Sequence, residues 1–295
     1  PARHHGCRNA LMARLTRLDT ELVRRQLAPS RNQAAALISD GKVKVDGQVV
    51  TKPARQVNPA QAILVSQDQG PNYVSRGAHK LAGALDILAQ RGIEATVAGR
   101  QCLDAGASTG GFTDVLLRRG AARVTAADVG YGQLAWSLQS DPRVNVMDRT
   151  NVRTLAAGDI TPAPTLVVSD LSFISLTLVL PALVAVADAA ADFLLMVKPQ
   201  FEVGKELIGH GGVVRDVRLH AQAITKVATC ALELGLSIEA VAPSPLPGPA
   251  GNVEYFLYMH AGTENSLTAA DLQAEIEAAI ISGPAGKGAK AKLRR

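Results

Sequence analysis

An apolar run ending at Leu103 breaks into Asp104-Ala105-Gly106-Ala107-Ser108-Thr109-Gly110-Gly111-Phe112, and a second run, Arg123 to Ala127, closes on Asp128. A strand, a glycine-rich turn, a helix start and a second strand ending in a carboxylate together describe a nucleotide-type cofactor site in a doubly wound sheet. The turn itself narrows the cofactor. A dinucleotide fingerprint needs Gly-x-Gly-x-x-Gly, and although Gly106 and Gly111 fit, the middle position is Ser108, which disfavours a pyrophosphate. Asp104, just ahead of the turn, would repel phosphates but suits a cation such as the amino and sulfonium groups of S-adenosylmethionine. Asp128 stands about 20 residues past the loop, where a strand-end carboxylate can hold ribose hydroxyls. Candidate cofactor residues are Asp104, Gly106, Ala107, Ser108, Thr109, Gly110, Phe112, Asp128 and Val129, with Asp170 at a later strand end. Asp148-Arg149 is placed at the adenine edge and Phe112 near the methionine end.

The rest of the chain alternates as α/β proteins do. Strands are expected at 101–104, 123–128, 144–147, 165–169 and 193–197, with helices at 78–91, from Gly111, from Tyr131, at 175–187 and at 217–234. Two neighbouring strands, near 237–243 and 253–259, suggest an antiparallel edge. The fold class is α/β, a mostly parallel seven-stranded sheet of the class I methyltransferase outline with a small α+β domain ahead of it. With 295 residues, 47% of them hydrophobic, the chain can bury one large core and a small one. Three widely spaced cysteines make neither a disulfide framework nor zinc spacing, which suits a cytoplasmic location.

The small domain carries the charge. Residues 1–60 hold 11 Lys/Arg against 4 Asp/Glu, or +7 of a total of +5, so the remainder is −2. Thr16-Arg17-Leu18-Asp19 and Ser30-Arg31-Asn32-Gln33 read as two helix caps, and Val43 to Val50 around Asp46-Gly47 reads as a hairpin. A basic face on so small a unit is suited to phosphates, because each neutralised phosphate releases counterions. The stretch Arg17-Leu18-Asp19, Arg24, Ser30-Arg31, Ala34, Ile38, Gly41-Lys42-Val43 and Val45-Asp46-Gly47 resembles the RNA-binding domain named after ribosomal protein S4. That resemblance implies structured RNA as the ligand, with Arg17, Arg24, Arg31, Lys42 and Lys44 as contacts. The expected organisation is a disordered extension over 1–13 (Met12 being the expected natural start), the RNA-binding domain over 14–66, a linker over 67–73, the large domain over 74–265, a helix over 266–282 and a disordered basic tail over 283–295.

Four polar residues fall where an open α/β sheet puts its chemistry. Asp170 closes Leu166-Val167-Val168-Ser169, Lys198 closes Phe193 to Val197, Glu254 opens Tyr255 to Tyr258, and Lys80 precedes the first strand. A ribose 2′-hydroxyl is a poor nucleophile, and its attack on a sulfonium methyl requires the proton to leave. A lysine whose neutral form is favoured by burial and a second cation can accept it. Lys198 is the expected base or hydroxyl orienter, Lys80 the second cation, and Asp170 and Glu254 their partners.

This is also the Lys-Asp-Lys-Glu pattern of FtsJ-like 2′-O-methyltransferases. With Val74-Ser75-Arg76-Gly77-Ala78-His79-Lys80, Asp104 to Thr113, Asp170-Leu171-Ser172-Phe173-Ile174-Ser175, Val197-Lys198-Pro199-Gln200-Phe201-Glu202 and Gly251-Asn252-Val253-Glu254-Tyr255-Phe256, residues 14–262 closely resemble the TlyA family, mycobacterial type. The resemblance implies S-adenosylmethionine-dependent methylation of cytidine riboses in ribosomal RNA of small and large subunits, and a link to capreomycin-type antibiotic susceptibility. It also carries the family's second description, haemolysin. One departure is the linker: the mycobacterial members carry Arg-Ala-Trp there, whereas Pro71-Asn72-Tyr73 precedes Val74 here.

Other readings fare less well on the residues. Amine methylation usually places Pro-Pro-Tyr after the strand-four acid, whereas Leu171-Ser172-Phe173 follows Asp170; no cysteine follows a proline as a cytosine C5 nucleophile would. A pore-former needs a membrane element, and the longest apolar stretch, Leu176 to Ala187, contains Pro181. A non-catalytic ribosome factor would bind cofactor without transferring methyl. Gly204 to Asp216 reads as a mobile loop at the substrate mouth, and Gly204-Lys205 lacks the Ser/Thr of a phosphate loop. His79 and His210 have no partners at metal spacing, so no metal is expected, and the chain is expected to act as a monomer.

Overall fold

The computed structural model describes residues 15–65, 72–264 and 266–286; the expected extension, most of the linker and most of the basic tail lie outside them. The chain divides into two compact units between Pro71 and Asn72.

The small unit contains β1 (Thr16–Arg17), α1 (Leu18–Arg24), α2 (Arg31–Ser39), β2 (Val43–Val45), β3 (Gln48–Val50), β4 (Gln56–Val57) and β5 (Ile63–Val65). Its core is Leu18, Leu22, Ala34, Ile38, Val43, Val45, Val50, Val57 and Ile63. The second expected cap forms, with Ser30 Oγ accepting from Gln33 N–H at 3.3 Å. The first does not. Thr16 and Arg17 are extended and pair with Val57 and Gln56, so α1 starts without a side-chain cap. The hairpin follows its turn residues: Asp46 and Gly47 both have positive φ (50° and 82°), and Val45 pairs with Gln48. β5, on the other side of β2, was not legible in the sequence.

The large unit contains α3 (Gly77–Gln90), β6 (Gln101–Ala105), α4 (Gly111–Arg118), β7 (Arg123–Ala127), α5 (Trp136–Gln139), β8 (Val144–Met147), β9 (Leu166–Ser169), α6 (Leu180–Val186), β10 (Asp192–Val197), α7 (Pro199–Glu202), α8 (Val217–Glu233), β11 (Leu236–Pro243), β12 (Tyr255–Ala261) and α9 (Ala269–Ser282). The seven strands are ordered β11-β12-β10-β9-β6-β7-β8, all parallel except β12, which runs antiparallel to both β10 and β11. Alternate residues of each strand feed two different cores: Leu195 and Val197 join Leu103 and Val167 on one face, while Leu194 and Met196 join Leu166 and Val168 on the other. Burial on both faces is why these strands read as unbroken apolar runs.

Two expected helices are shorter. Ahead of Trp136, Gly130 N–H is held by Asp128 Oδ1 (2.7 Å) and Gly132 N–H by Asp148 Oδ2 (2.9 Å), and Gly132 takes a positive φ of 63°, so the helix expected from Tyr131 begins only at Trp136. The 175–187 helix divides into a 3₁₀ turn at Leu176–Leu178 and α6, which begins beside Pro181, a residue suited to the first turn.

Across the sheet edge His260 Nδ1 lies 2.6 Å from Asp192 Oδ1, its Nε2 bonds Glu239 Oε2, and Arg100 holds the other oxygen of Asp192 at 2.7 Å. The Asp192 hydrogen bond raises the imidazole pKa above its ordinary value, with Glu239 adding to it and burial opposing it. A folded-state pKa above the unfolded value adds stability that is full below about 6.5 and disappears as pH rises through the raised value. His260→Asn should therefore flatten the decline in melting temperature over that window; an unchanged profile would remove His260 from this role.

Candidate active site

β6 and β9 are neighbours although α4, β7, α5 and β8 lie between them along the chain, and the loops that follow them diverge at this switch point. Asp170 follows β9 and Lys198 follows β10. Because β12 is antiparallel and Val197 pairs with Tyr255, Glu254 reaches the same sheet end. Lys80 lies in the first turn of α3.

These four residues converge. Lys80 Nζ donates to Glu254 Oε2 at 2.6 Å and lies 3.7 Å from Asp170 Oδ2. Lys198 Nζ lies 2.5 Å from Asp170 Oδ1 and donates to Ser172 Oγ at 3.1 Å. Lys80, Lys198 and Glu254 are only 8%, 7% and 2% exposed, a burial that charged groups tolerate when paired. Asp170 thus bridges the two lysines. Each ammonium has its own carboxylate at hydrogen-bonding range, so charge balance, rather than repulsion between lysines, dominates the site.

A cleft of about 330 Å³ opens here. Lys80, Asp170 and Lys198 line it together with Gly106, Ala107, Ser108, Thr109 and Phe112 of the glycine loop. Glycine at 106 is required twice over: φ is +90°, and a Cβ would stand 3.0 Å from Asp170 O. A Cβ on Gly111 would meet Ala78 N at 2.8 Å, so loop and α3 touch through it. Gly110, with φ of +95°, caps α4. Phe112 is both a core residue, stacked 6.1 Å from Phe256, and a cleft residue.

The acidic residues are placed differently. Asp104 is fully buried and does not line the cleft; its Oδ2 accepts from Thr113 Oγ1 at 2.7 Å, while Oδ1 has no hydrogen-bond partner. Burial pushes its carboxyl up to about 7, opposed by Thr113 and reinforced by the charges of Asp170 and Asp128. An orphaned buried carboxylate oxygen at the root of this loop fits a cationic cofactor, whose charge would favour the ionised form. Asp128 binds the loop instead of standing open: Oδ2 accepts Ser108 N–H at 2.8 Å and Oδ1 accepts Gly130 N–H. A lone pair on each oxygen remains for a ribose hydroxyl. Val129 is 71% exposed, Asp148 Oδ2 accepts Gly132 N–H, and the Arg149 guanidinium stacks 4.2 Å from the Tyr131 ring; none of these lines the cleft.

Several site residues carry no signal of their own in the sequence. Ser172 holds Lys198, and Ser75, Arg76, Pro247 and Pro249 line the cleft. Glu202, 6% exposed, accepts from Ser175 Oγ at 2.5 Å and Leu176 N–H at 2.7 Å, tying the loop after Asp170 to α7 behind Lys198. Glu202 closes the motif Val197 to Glu202 that carries the family resemblance, but nothing in the sequence assigned it this role. At the linker position, Tyr73 packs edge-on against His79 at 5.2 Å and under Arg118 at 4.9 Å.

In the small unit Arg17, Arg24, Arg31 and Lys44 are exposed and Lys42 is half-buried. The sequence did not suggest that two buried carboxylates hold the arginines. Asp19 pairs with Arg17 (2.7 Å) and Arg31 (3.5 Å), and Glu21 with Arg24 (2.6 Å) and Arg25 (2.7 Å). Arg17 keeps the Asp19 carboxyl well below the usual range, and Arg24 holds Glu21 down to about 2.

Sheet order, glycine loop and lysine–carboxylate site together define a class I methyltransferase. Residues 73–261 match the FtsJ-like methyltransferase family and residues 16–63 match the S4 domain. The chain belongs to the TlyA family of these enzymes. It is 57% identical over 273 residues to the 16S/23S rRNA (cytidine-2′-O)-methyltransferase TlyA of Mycobacterium tuberculosis, covering 92% of this chain and 100% of that protein. A Bacillus subtilis relative is 39% identical over 245 residues, 83% of this chain and 85% of its own. A solved structure from Streptococcus thermophilus, described as a hemolysin, superposes with a TM-score of 0.70 at 32% identity, covering 96% of this chain and 100% of that one. The methyltransferase fold implies a cofactor of the S-adenosylmethionine type. Among the described residues no helix is long and apolar enough to cross a membrane, and no cluster of His, Cys, Asp and Glu could hold a metal ion.

Proposed function

We propose that the protein transfers a methyl group from S-adenosylmethionine to the 2′-hydroxyl of cytidine in ribosomal RNA, acting as a single chain in the cytoplasm. The observation that carries this reading is Asp170 joining Lys80 and Lys198 beside the glycine loop in one cleft. The relative from M. tuberculosis is described as acting on both 16S and 23S rRNA, which supports substrates in both subunits. When bound, S-adenosylmethionine supplies the methyl as an electrophilic carbon on a sulfonium. Gly106 to Thr109, Asp128 and Phe112 would hold it, with the Asp104 carboxylate buried beneath the loop as a counter-charge.

Lys198 Nζ, fixed between Asp170 and Ser172, would orient the ribose hydroxyl and, in its neutral amine form, take the hydroxyl proton as the oxygen accepts the methyl. Asp170 stabilises the ammonium that results. Lys80 and Glu254 hold Asp170 in place through the 3.7 Å and 2.6 Å contacts. The test is labelled methyl transfer to isolated small and large ribosomal subunits, followed by mapping of 2′-O-methylated positions. Absence of transfer to either subunit by the wild-type protein would overturn the reading.

The small unit supplies the RNA grip. Lys44 stands exposed on the outer face of its sheet, with Val49 and Leu64 as cross-strand neighbours. If it neutralises a phosphate, Lys44→Gln lowers the slope of log affinity against log salt by about one. Binding to protein-free rRNA across a salt series measures this, and an unchanged slope excludes the contact.

A further inference from the structure

Two buried polar side chains that the chemistry above does not use converge on Val214, in the loop between α7 and α8. Asn252 (4% exposed) accepts Val214 N–H on Oδ1 at 3.0 Å and donates from Nδ2 to Gly212 O at 2.9 Å. His220 (2% exposed) bonds Val214 O through Nε2 at 2.8 Å, and its Nδ1 meets the Tyr255 hydroxyl at 2.8 Å. A carbonyl only accepts, so Nε2 carries the proton and Nδ1 accepts from Tyr255. Both main-chain groups of Val214 are therefore held by side chains. Burial lowers the His220 pKa, in keeping with a neutral ring.

The same groups lead to the site. Tyr255 follows Glu254 directly, and Asn252 precedes it by two residues. Asn252 O accepts Gly248 N–H at 2.8 Å, and Glu254 O accepts Ser244 N–H at 2.9 Å, which folds 244–254 into a closed turn. That turn packs on the carboxylate itself, because a Cβ on Gly248 would stand 2.8 Å from Glu254 Oε1. A contiguous path runs from loop 209–214 through Asn252 and Gly248 to Glu254, and from Glu254 at 2.6 Å to Lys80.

We infer that Asn252 and His220 are positioning residues for methyl transfer: they latch loop 209–214 to the turn before β12 and thereby set Glu254 against Lys80. A path of this kind matters because small misplacements of a reacting group cost large factors in rate. The inference rests on the proposed roles of Lys80 and Glu254, and goes beyond them by assigning their alignment to a loop remote in sequence.

The test is a double-mutant cycle in the full chain, with methyl transfer to isolated ribosomal subunits as the readout. Asn252→Ala is expected to lower kcat by at least about tenfold, with KM for the subunits and cofactor affinity within about twofold of wild type. In a Glu254→Ala background the same substitution should have little further effect, which a merely structural role would not produce. His220→Ala should behave like Asn252→Ala, and His220→Gln, whose amide can still donate to Val214 O, should restore most of the rate; this pair keeps the test intact if Asn252→Ala does not fold. Full kcat in both Asn252→Ala and His220→Ala, effects additive with Glu254→Ala, or a rise in KM alone would each overturn the inference. If Glu254→Ala by itself leaves kcat unchanged, it is the proposed role of Glu254 that fails.

Discussion

Replacing Lys198 with alanine is expected to lower kcat for methyl transfer to ribosomal subunits by about 10²–10⁴-fold, the range for loss of a positioned proton acceptor. The amine sits between Asp170 Oδ1 at 2.5 Å and Ser172 Oγ at 3.1 Å, and its removal leaves no nitrogen at that point of the cleft. Cofactor affinity should change little, because the glycine loop is held by Asp128 and by its own glycines. Lys198→Arg separates the two halves of the role. A guanidinium keeps the charge and the partner carboxylate but does not give up its proton. If Lys198 only orients the hydroxyl, arginine recovers substantial rate; if it also takes the proton, arginine remains near the alanine level. Full rate in Lys198→Ala with the fold intact would remove the residue from the mechanism.

The second large effect is on stability as well as rate. Glu254→Gln keeps the shape of the side chain but removes the counter-charge 2.6 Å from Lys80, whose side chain is only 10% exposed. Asp170, the other carboxylate in reach at 3.7 Å, is already engaged by Lys198. An uncompensated buried ammonium costs about 3 kcal/mol, which in a unit of this size lowers the melting temperature by about 6–12 °C. Thermal unfolding at neutral pH measures it. The shift should shrink as Lys80 is also changed, and Glu254→Gln combined with Lys80→Met should be more stable than Glu254→Gln alone. A melting temperature within 2 °C of wild type for Glu254→Gln, where roughly 6–12 °C is expected, would mean that the pair contributes nothing to the folded state.

Part of this architecture is legible in the residues alone. Leu166 to Ser169 and Phe193 to Val197 have to be central strands, because only burial on both faces accommodates such runs, and their apolar ends placed Asp170 and Lys198 at one sheet edge. Asp46-Gly47 specified its hairpin and Ser30 its helix, since in each case a turn or cap is satisfied within four residues. Local signals misled where a distant group competed for the same backbone. The Thr16 cap lost to strand pairing with Gln56 and Val57, and the helix from Tyr131 lost to the carboxylates of Asp128 and Asp148.

The sequence by itself determined which residue types could carry the chemistry and the strand ends that hold them. Only the tertiary structure decided their pairing: Lys80 to Glu254 across 174 positions, Asp170 between both lysines, Asp104 buried beneath the cofactor loop and not open to it, and Asn252 with His220 clasping Val214. The reason is physical. Periodicity and capping are settled by neighbours along the chain, whereas an ion pair or a buried hydrogen bond is settled by which side chains the packed sheet brings within about 3 Å of each other.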